Sequence, residues 1–428
     1  MLKLALVTNQ EDLLQKFINF FAENINKIEK SAAQKIDITY ILNNSVDKKI
    51  VSLPGREFNK AEFIEDYNKI LTDPGVDIIL ELSRNQESPD YLFQALKNKK
   101  TVITSNLKVI AENYLEIKNM EKKFRSRIFF SAAFSPLPIK TLIDNFYALD
   151  ELKELNAVLN ATTNYILAEM KKNTISMKET LEQAKELSYT EENTDLDLNG
   201  IDSLNKIIIL ANLIYNTALD TALIKARGIK GITSYDLIYA TELGYKIKLI
   251  CTIKKENEEL YLGVRPNLIS QDNFLASINE NSNGVELLSH YNAKTTFTAE
   301  NCDQASINLL SLDLINAAKF IKNENWTDFG FEIKNINVSD YYQEKLSSFY
   351  VRLQLEKDEK IIDKIKKIFS EKNLADLILH DNLTETPLLP VIILTKKIKE
   401  NDLERLLEEV ENLEGVLTVN NIIAVKED

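Results

Sequence analysis

The chain has 428 residues, enough for two or three domains whose interiors need no cross-links. A formal net charge of −13 argues against a nucleic-acid partner, which asks for a basic face, and the two cysteines, Cys251 and Cys302, carry no metal or redox motif. No apolar stretch reaches the length of a membrane span and the opening MLKLALVTNQEDLL has no cleavage site. We therefore expect a cytoplasmic protein with no membrane partner and no metal.

In chain order, Leu2 to Thr8 reads as a strand, followed by a helical spacing of apolar residues at Leu13, Leu14, Phe17, Phe20, Phe21 and Ile25. Further strands are expected at Ile36 to Leu42, Val76 to Leu82 and Thr101 to Thr104. Strands alternating with helices predict a parallel, doubly wound sheet, a Rossmann-type nucleotide-binding domain over residues 1–130 completed by residues of about 300–325. Its first strand-to-helix turn, VTNQEDLLQKF, is where such a fold holds a dinucleotide. Thr8 and Asn9 are the candidate contacts there. The turn has no glycine, in a chain with only ten, and Glu11 and Asp12 add negative charge where a pyrophosphate would sit.

From Leu155, LNAVLNATTNYILAEM reads as a strand, a polar turn (Thr162, Thr163, Asn164) and a helix. The stretch YTEENTDLDLNGIDSLNK, Tyr189 to Lys206, is an acidic loop feeding a helix for which Asp202 is the expected N-cap. Ile207 to Leu213 is almost wholly apolar, so that helix should be buried, with Lys206 one turn past Asp202 on the same face. A lysine entering a buried helix needs a partner or a ligand. A helix at Ser234 to Leu243 and strands at Lys246 to Ile253, Leu260 to Leu268 and Thr295 to Ala299 follow. After a helix at Ser306 to Phe320 and a polar linker, residues 346–428 read as βαββαβ. His290 and His380 read as structural or exposed residues.

Three segments, NATTNYIL from Asn160, the acidic stretch ending at Lys206, and GITSYDLIYATELGYKIKL from Gly231, stand in the order and spacing of the homoserine dehydrogenase family, which the chain resembles. The resemblance implies an α/β protein with a Rossmann-type domain, an α+β substrate-binding and dimerisation domain (131–299) and an ACT-like C-terminal domain (346–428). It further implies NAD(P)-dependent interconversion of aspartate 4-semialdehyde and homoserine, a step toward threonine and methionine, by a homodimer or homotetramer. By the same resemblance Glu191 receives the substrate ammonium, Asp197, Asp202 and Lys206 occupy the other active-site positions, and Thr163 and Tyr189 line the pocket.

The nucleotide side departs from the family pattern. In KTVITSNLKVIAENY, Thr104 and Asn106 match and are candidate cofactor contacts, but Leu107 stands where the family has its proton-transfer lysine, leaving Lys108 and Lys206 as candidates. In RIFFSAAFSPLPIKTL, Pro138 fits, while Phe130 replaces a cation-binding glutamate and Ser135 and Pro136 replace a glycine pair. AENCDQAS, from Ala299, replaces a glycine-rich turn, and EKDEKI, from Glu356, lacks the glycine of an effector loop. Two readings stay open: a working dehydrogenase with an altered nucleotide cradle, or a homologue without hydride chemistry that binds an amino acid or a partner subunit.

Overall fold

The computed structural model describes residues 1–43, 58, 61–82, 88–186, 194–278, 280–322, 333–379 and 388–426. Its contacts divide the chain into two compact units, one of Met1–Leu149, Ile208–Ala218 and Glu300–Asn335, the other of Asp150–Ile207, Leu219–Ala299 and Ile336–Asp428.

The first unit holds strands β1 (Leu2–Thr8), β2 (Ile36–Asn43), β3 (Glu62–Ile64), β4 (Ile78–Glu81), β5 (Thr101–Thr104) and β6 (Ile128–Phe129). They form one sheet in the order β3-β2-β1-β4-β5-β6, every pair parallel. That is the dinucleotide-fold order, with its reversal between β1 and β4. β1, β4 and β5 read as apolar runs because helices cover the sheet on both faces. Helix Glu11–Ala32 buries Leu14, Phe17, Ile18, Phe21, Ile25 and Ile28, a stripe at helical spacing, and ends on Ala33 in the left-handed region at φ 53°. Helix Asp303–Lys322 adds Leu310, Leu314, Ala317 and Ala318 to the same core.

The second unit holds β7 (Leu152–Val158), β8 (Tyr245–Glu256), β9 (Glu259–Ser270), β10 (Ser282–Ser289), β11 (Lys294–Glu300), β12 (Asn337–Asp340), β13 (Ser348–Glu356), β14 (Leu374–Leu379), β15 (Leu388–Thr395) and β16 (Val416–Lys426). From Ser348 the chain runs strand, helix Glu359–Asn373, strand, strand, helix Glu400–Glu411, strand, the expected βαββαβ. Its sheet does not stand apart. β16 pairs in parallel with β9 through Ala424↔Asn267, Val425↔Leu268 and Lys426↔Ile269, so all ten strands form one sheet. Short β12, which pairs with β9, lies in the stretch that reads as a polar linker. No helix among the described residues is long and apolar enough to cross a membrane.

Candidate active site

The polar centre of the second unit is built around Asn160. Asn160 caps helix Ala161–Asn173 from extended backbone, its Oδ1 accepting the Thr163 N–H at 2.8 Å, so the cap is Asn160 and not the threonines that follow it. The other end of the same amide donates to Asp197 Oδ1 at 2.6 Å and to Asp202 Oδ2 at 2.9 Å. One neutral side chain thus holds two carboxylates that would otherwise repel each other.

Helix Ile201–Tyr215 begins ahead of the expected cap, which places Asp202 inside its first turn. Asp202 is therefore not the N-cap. Its carboxylate instead takes the ammonium of Lys206, four residues on, with Nζ to Oδ2 at 2.8 Å. Lys206 is 8% exposed and also donates to the Leu159 carbonyl at 2.8 Å, so the lysine entering the apolar helix has a partner on each side. Thr163, 1% exposed, gives its hydroxyl to the Asn160 carbonyl at 3.0 Å. Asn160, Thr163, Asp197, Asp202 and Lys206 are thereby brought together, while Tyr189 and Glu191 lie outside the described residues.

Two further buried groups stand beside this centre. Burial pushes the Cys251 thiol up to about 12, against the pull of Ser203 and the Lys206 charge, so it stays a thiol and not a nucleophile. Lys248, on β8, donates to Asn164 and to the Ile278 carbonyl, the latter at 2.9 Å. Burial brings its ammonium down to about 8. Asn164 sits in the first turn of the helix that Asn160 caps, so Lys248 braces that turn from behind. The sequence signal for Asn160 was its place before a helix; for Lys248 it was a cation among the apolar residues of IKLI.

At the carboxyl ends of the first unit's strands, Thr8 hydrogen-bonds within its own turn, its Oγ1 accepting the Gln10 N–H at 2.9 Å, with Asn9 between. Thr104 is fully buried and donates to Glu81 Oε2 at 2.8 Å; its hydroxyl also accepts the Asn106 N–H at 3.0 Å. Glu81, 1% exposed at the end of β4, is a buried acid that the sequence reading missed, marked only by its place in an apolar run. Asn106 caps helix Leu107–Glu112 through Val109 N–H. Lys108, the next residue but one, has its side chain 55% exposed and 3.9 Å from Glu112, an ordinary surface pair.

These residues fit a dinucleotide in the way a helix end fits an anion. The first-turn N–H groups precede a ladder that opens with Leu14 N–H to the Gln10 carbonyl, and the N-cap residue, Gln10, makes no side-chain cap bond to them. The turn keeps ordinary φ angles, so its backbone does not require glycine; what the absent glycines remove is room for close approach. Asp12 is drawn off to Lys16 at 2.5 Å, and Lys16 also holds Asp303 at 2.7 Å, which moderates the negative charge there.

Comparison with known proteins bears on both units. The family model for homoserine dehydrogenase matches residues 138–306 and that for the homoserine dehydrogenase NAD-binding domain matches residues 22–131. The chain belongs to the homoserine dehydrogenase family. It is 24% identical to the homoserine dehydrogenase of Bacillus subtilis over 424 residues, 96% of this chain and 95% of that one. It is 34% identical to that of Methanocaldococcus jannaschii over 227 residues, 51% of this chain and 63% of the relative. The crystal structure of a homoserine dehydrogenase from Thiobacillus denitrificans shares the fold, with a TM-score of 0.88 at 20% identity over 100% of this chain and 98% of that one. The NAD-binding match supports a nicotinamide cofactor, and it begins beyond the first turn.

Proposed function

We propose that the protein is a homoserine dehydrogenase, interconverting aspartate 4-semialdehyde and homoserine with NAD(P) in threonine and methionine biosynthesis. The observation that supports this reading is that the Asn160 amide holds both Asp197 and Asp202 while Lys206 pairs with Asp202, three residues that the resemblance assigns to the family's active-site positions. NAD(P)H, when bound, would supply a hydride for the aldehyde carbon. Lys206 donates the proton that the aldehyde oxygen takes up as the alcohol forms, and Asp202 holds the ammonium in place. Asp197 and Asp202 supply negative charge for the amino acid's ammonium, with Glu191 as a third carboxylate. Lys108 is a second candidate for the proton, and its exposed pairing with Glu112 favours Lys206 over it. Thr163 and Tyr189 complete the pocket, and Thr8, Asn9, Thr104 and Asn106 are the candidate cofactor contacts. Assembly as a cytoplasmic homodimer or homotetramer, with residues 346–428 as an ACT-like domain, belongs to the same reading.

A second reading is favoured by Leu107 and by the glycine-free first turn: a family member that binds the amino acid, or a partner subunit, without hydride chemistry. Titration of the purified protein with NAD(P)H, with and without homoserine, separates the two. The dehydrogenase binds the nucleotide; the alternative binds homoserine alone.

A further inference from the structure

The acid-bearing segment of the site is held from behind by a strap, residues 226–230, that the reaction does not use. Gly228 lies so close to it that a Cβ there would fall 1.8 Å from the Leu198 carbonyl oxygen and 2.4 Å from Asn199 Cα. The next N–H, of Ile229, donates to that same Leu198 carbonyl at 2.8 Å. Gly200, at φ +78°, faces the strap from the other side, where a Cβ would meet Ala226 at 3.4 Å. Leu198 to Gly200 is the bridge between Asp197 and Asp202, so the strap sets where those carboxylates stand.

The strap is in turn tied to the C-terminal βαββαβ module. Arg227 reaches Glu400 Oε1 at 2.6 Å, and Arg265 of β9 reaches the same oxygen at 2.7 Å. Glu400 is the first residue of helix Glu400–Glu411 and is 1% exposed. Arg265 is fixed further by Asp340 at 3.3 Å and by the Tyr342 ring, 3.9 Å from its guanidinium carbon. A buried carboxylate shared by two guanidiniums has a defined position, because moving it strands charge in a dry site. The outer arm differs: the Arg227 side chain is 44% exposed and also meets Glu404 at 3.4 Å.

We infer that Glu400 and Arg227 are positioning residues for the amino-acid site, through which the C-terminal module fixes the segment carrying Asp197 and Asp202. The module thus reaches the site by a short route: the Glu400–Arg227 ion pair, one residue on to Gly228, and from Gly228 by close packing to the peptide between the two acids. This inference rests on the amino-acid site proposed above, but the exchange arm of its test does not.

The test compares wild type with Arg227→Met, a change at a half-exposed side chain that leaves Arg265 on Glu400. Hydrogen exchange read segment by segment should accelerate roughly 2- to 30-fold over 197–204, the span of coupling carried by residues outside a site. Exchange in β13 and β15 and the melting temperature should stay at wild-type values, which a merely structural role would not allow. Homoserine affinity, measured by calorimetry, should fall by a similar factor. Glu400→Gln should likewise accelerate exchange over 197–204 but also lower the melting temperature, because it takes the counter-charge from buried Arg265, and Glu404→Gln should change nothing. Wild-type exchange over 197–204 in Arg227→Met overturns the inference, as does an equal effect from Glu404→Gln. Failure of the wild type to bind homoserine would instead remove the proposed function, leaving the exchange result to decide the strap.

Discussion

Lys206 and Asp202 are joined within one turn of helix Ile201–Tyr215, Nζ to Oδ2 at 2.8 Å, at the point where the acidic loop becomes an apolar helix. The contact puts a cation, its counter-charge and the Asn160 amide in one small volume. Replacing Lys206 by Met keeps the stem and removes the ammonium. Turnover should fall by ~10²- to 10⁴-fold, the usual worth of a positioned proton donor. Steady-state assay beside a circular-dichroism melt checks it; loss of folding together with loss of activity would point to structure, not chemistry.

Asn160 has two tasks, capping a helix and separating two carboxylates. Asn160→Ala should cost about 1 kcal/mol for the cap alone, with more from leaving Asp197 and Asp202 unseparated. Denaturant unfolding measures it. Asn160→Asp keeps the cap but adds a third charge, and should lower homoserine affinity more than it lowers stability.

Gly228→Ala places a methyl against backbone, not against a flexible side chain, so the loop must move. Destabilisation of several kcal/mol, or a displaced Leu198 to Gly200 segment with weakened homoserine binding, is expected. Unfolding and calorimetry together distinguish the two.

Lys248 predicts a pH dependence. Burial holds its ammonium at about 8, below the ordinary 10.5, aided by Lys246 and Lys171 and opposed by Glu280. Between these values the unfolded chain binds the extra proton, so stability rises with pH across about 8 to 10.5 and is flat below 8. The gain is on the order of 3 kcal/mol. The difference between wild type and Lys248→Met in unfolding free energy should carry that slope; parallel curves from pH 7 to 10.5 would show that Lys248 does not contribute it.

Much of this was legible in the sequence for reasons of period and punctuation. β1 and β5 match their expected spans residue for residue because apolar runs bounded by polar residues leave little choice. Lys206 and Asp202 were legible because spacing four on a helix fixes one face. What was hidden depends on partners far along the chain. Asp202 does not cap its helix because Asn160, 42 residues earlier, and Lys206 claim its carboxylate. Nothing local to VLTVNNIIAVK marks β16 as the strand that joins β9 and merges the C-terminal sheet with the central one. Nothing in the sequence marks Glu400, and only the fold brings Arg227 and Arg265 to it.

The central claim is that the site performs hydride chemistry with Lys206 as proton donor. It is tested most directly by following loss of nicotinamide absorbance as purified protein reduces aspartate 4-semialdehyde, at high NAD(P)H, for wild type, Lys206→Met and Lys108→Ala. The account predicts turnover in wild type, near-complete loss in Lys206→Met and little change in Lys108→Ala. Absence of turnover in a wild type that still binds homoserine, or full activity in Lys206→Met, would contradict it.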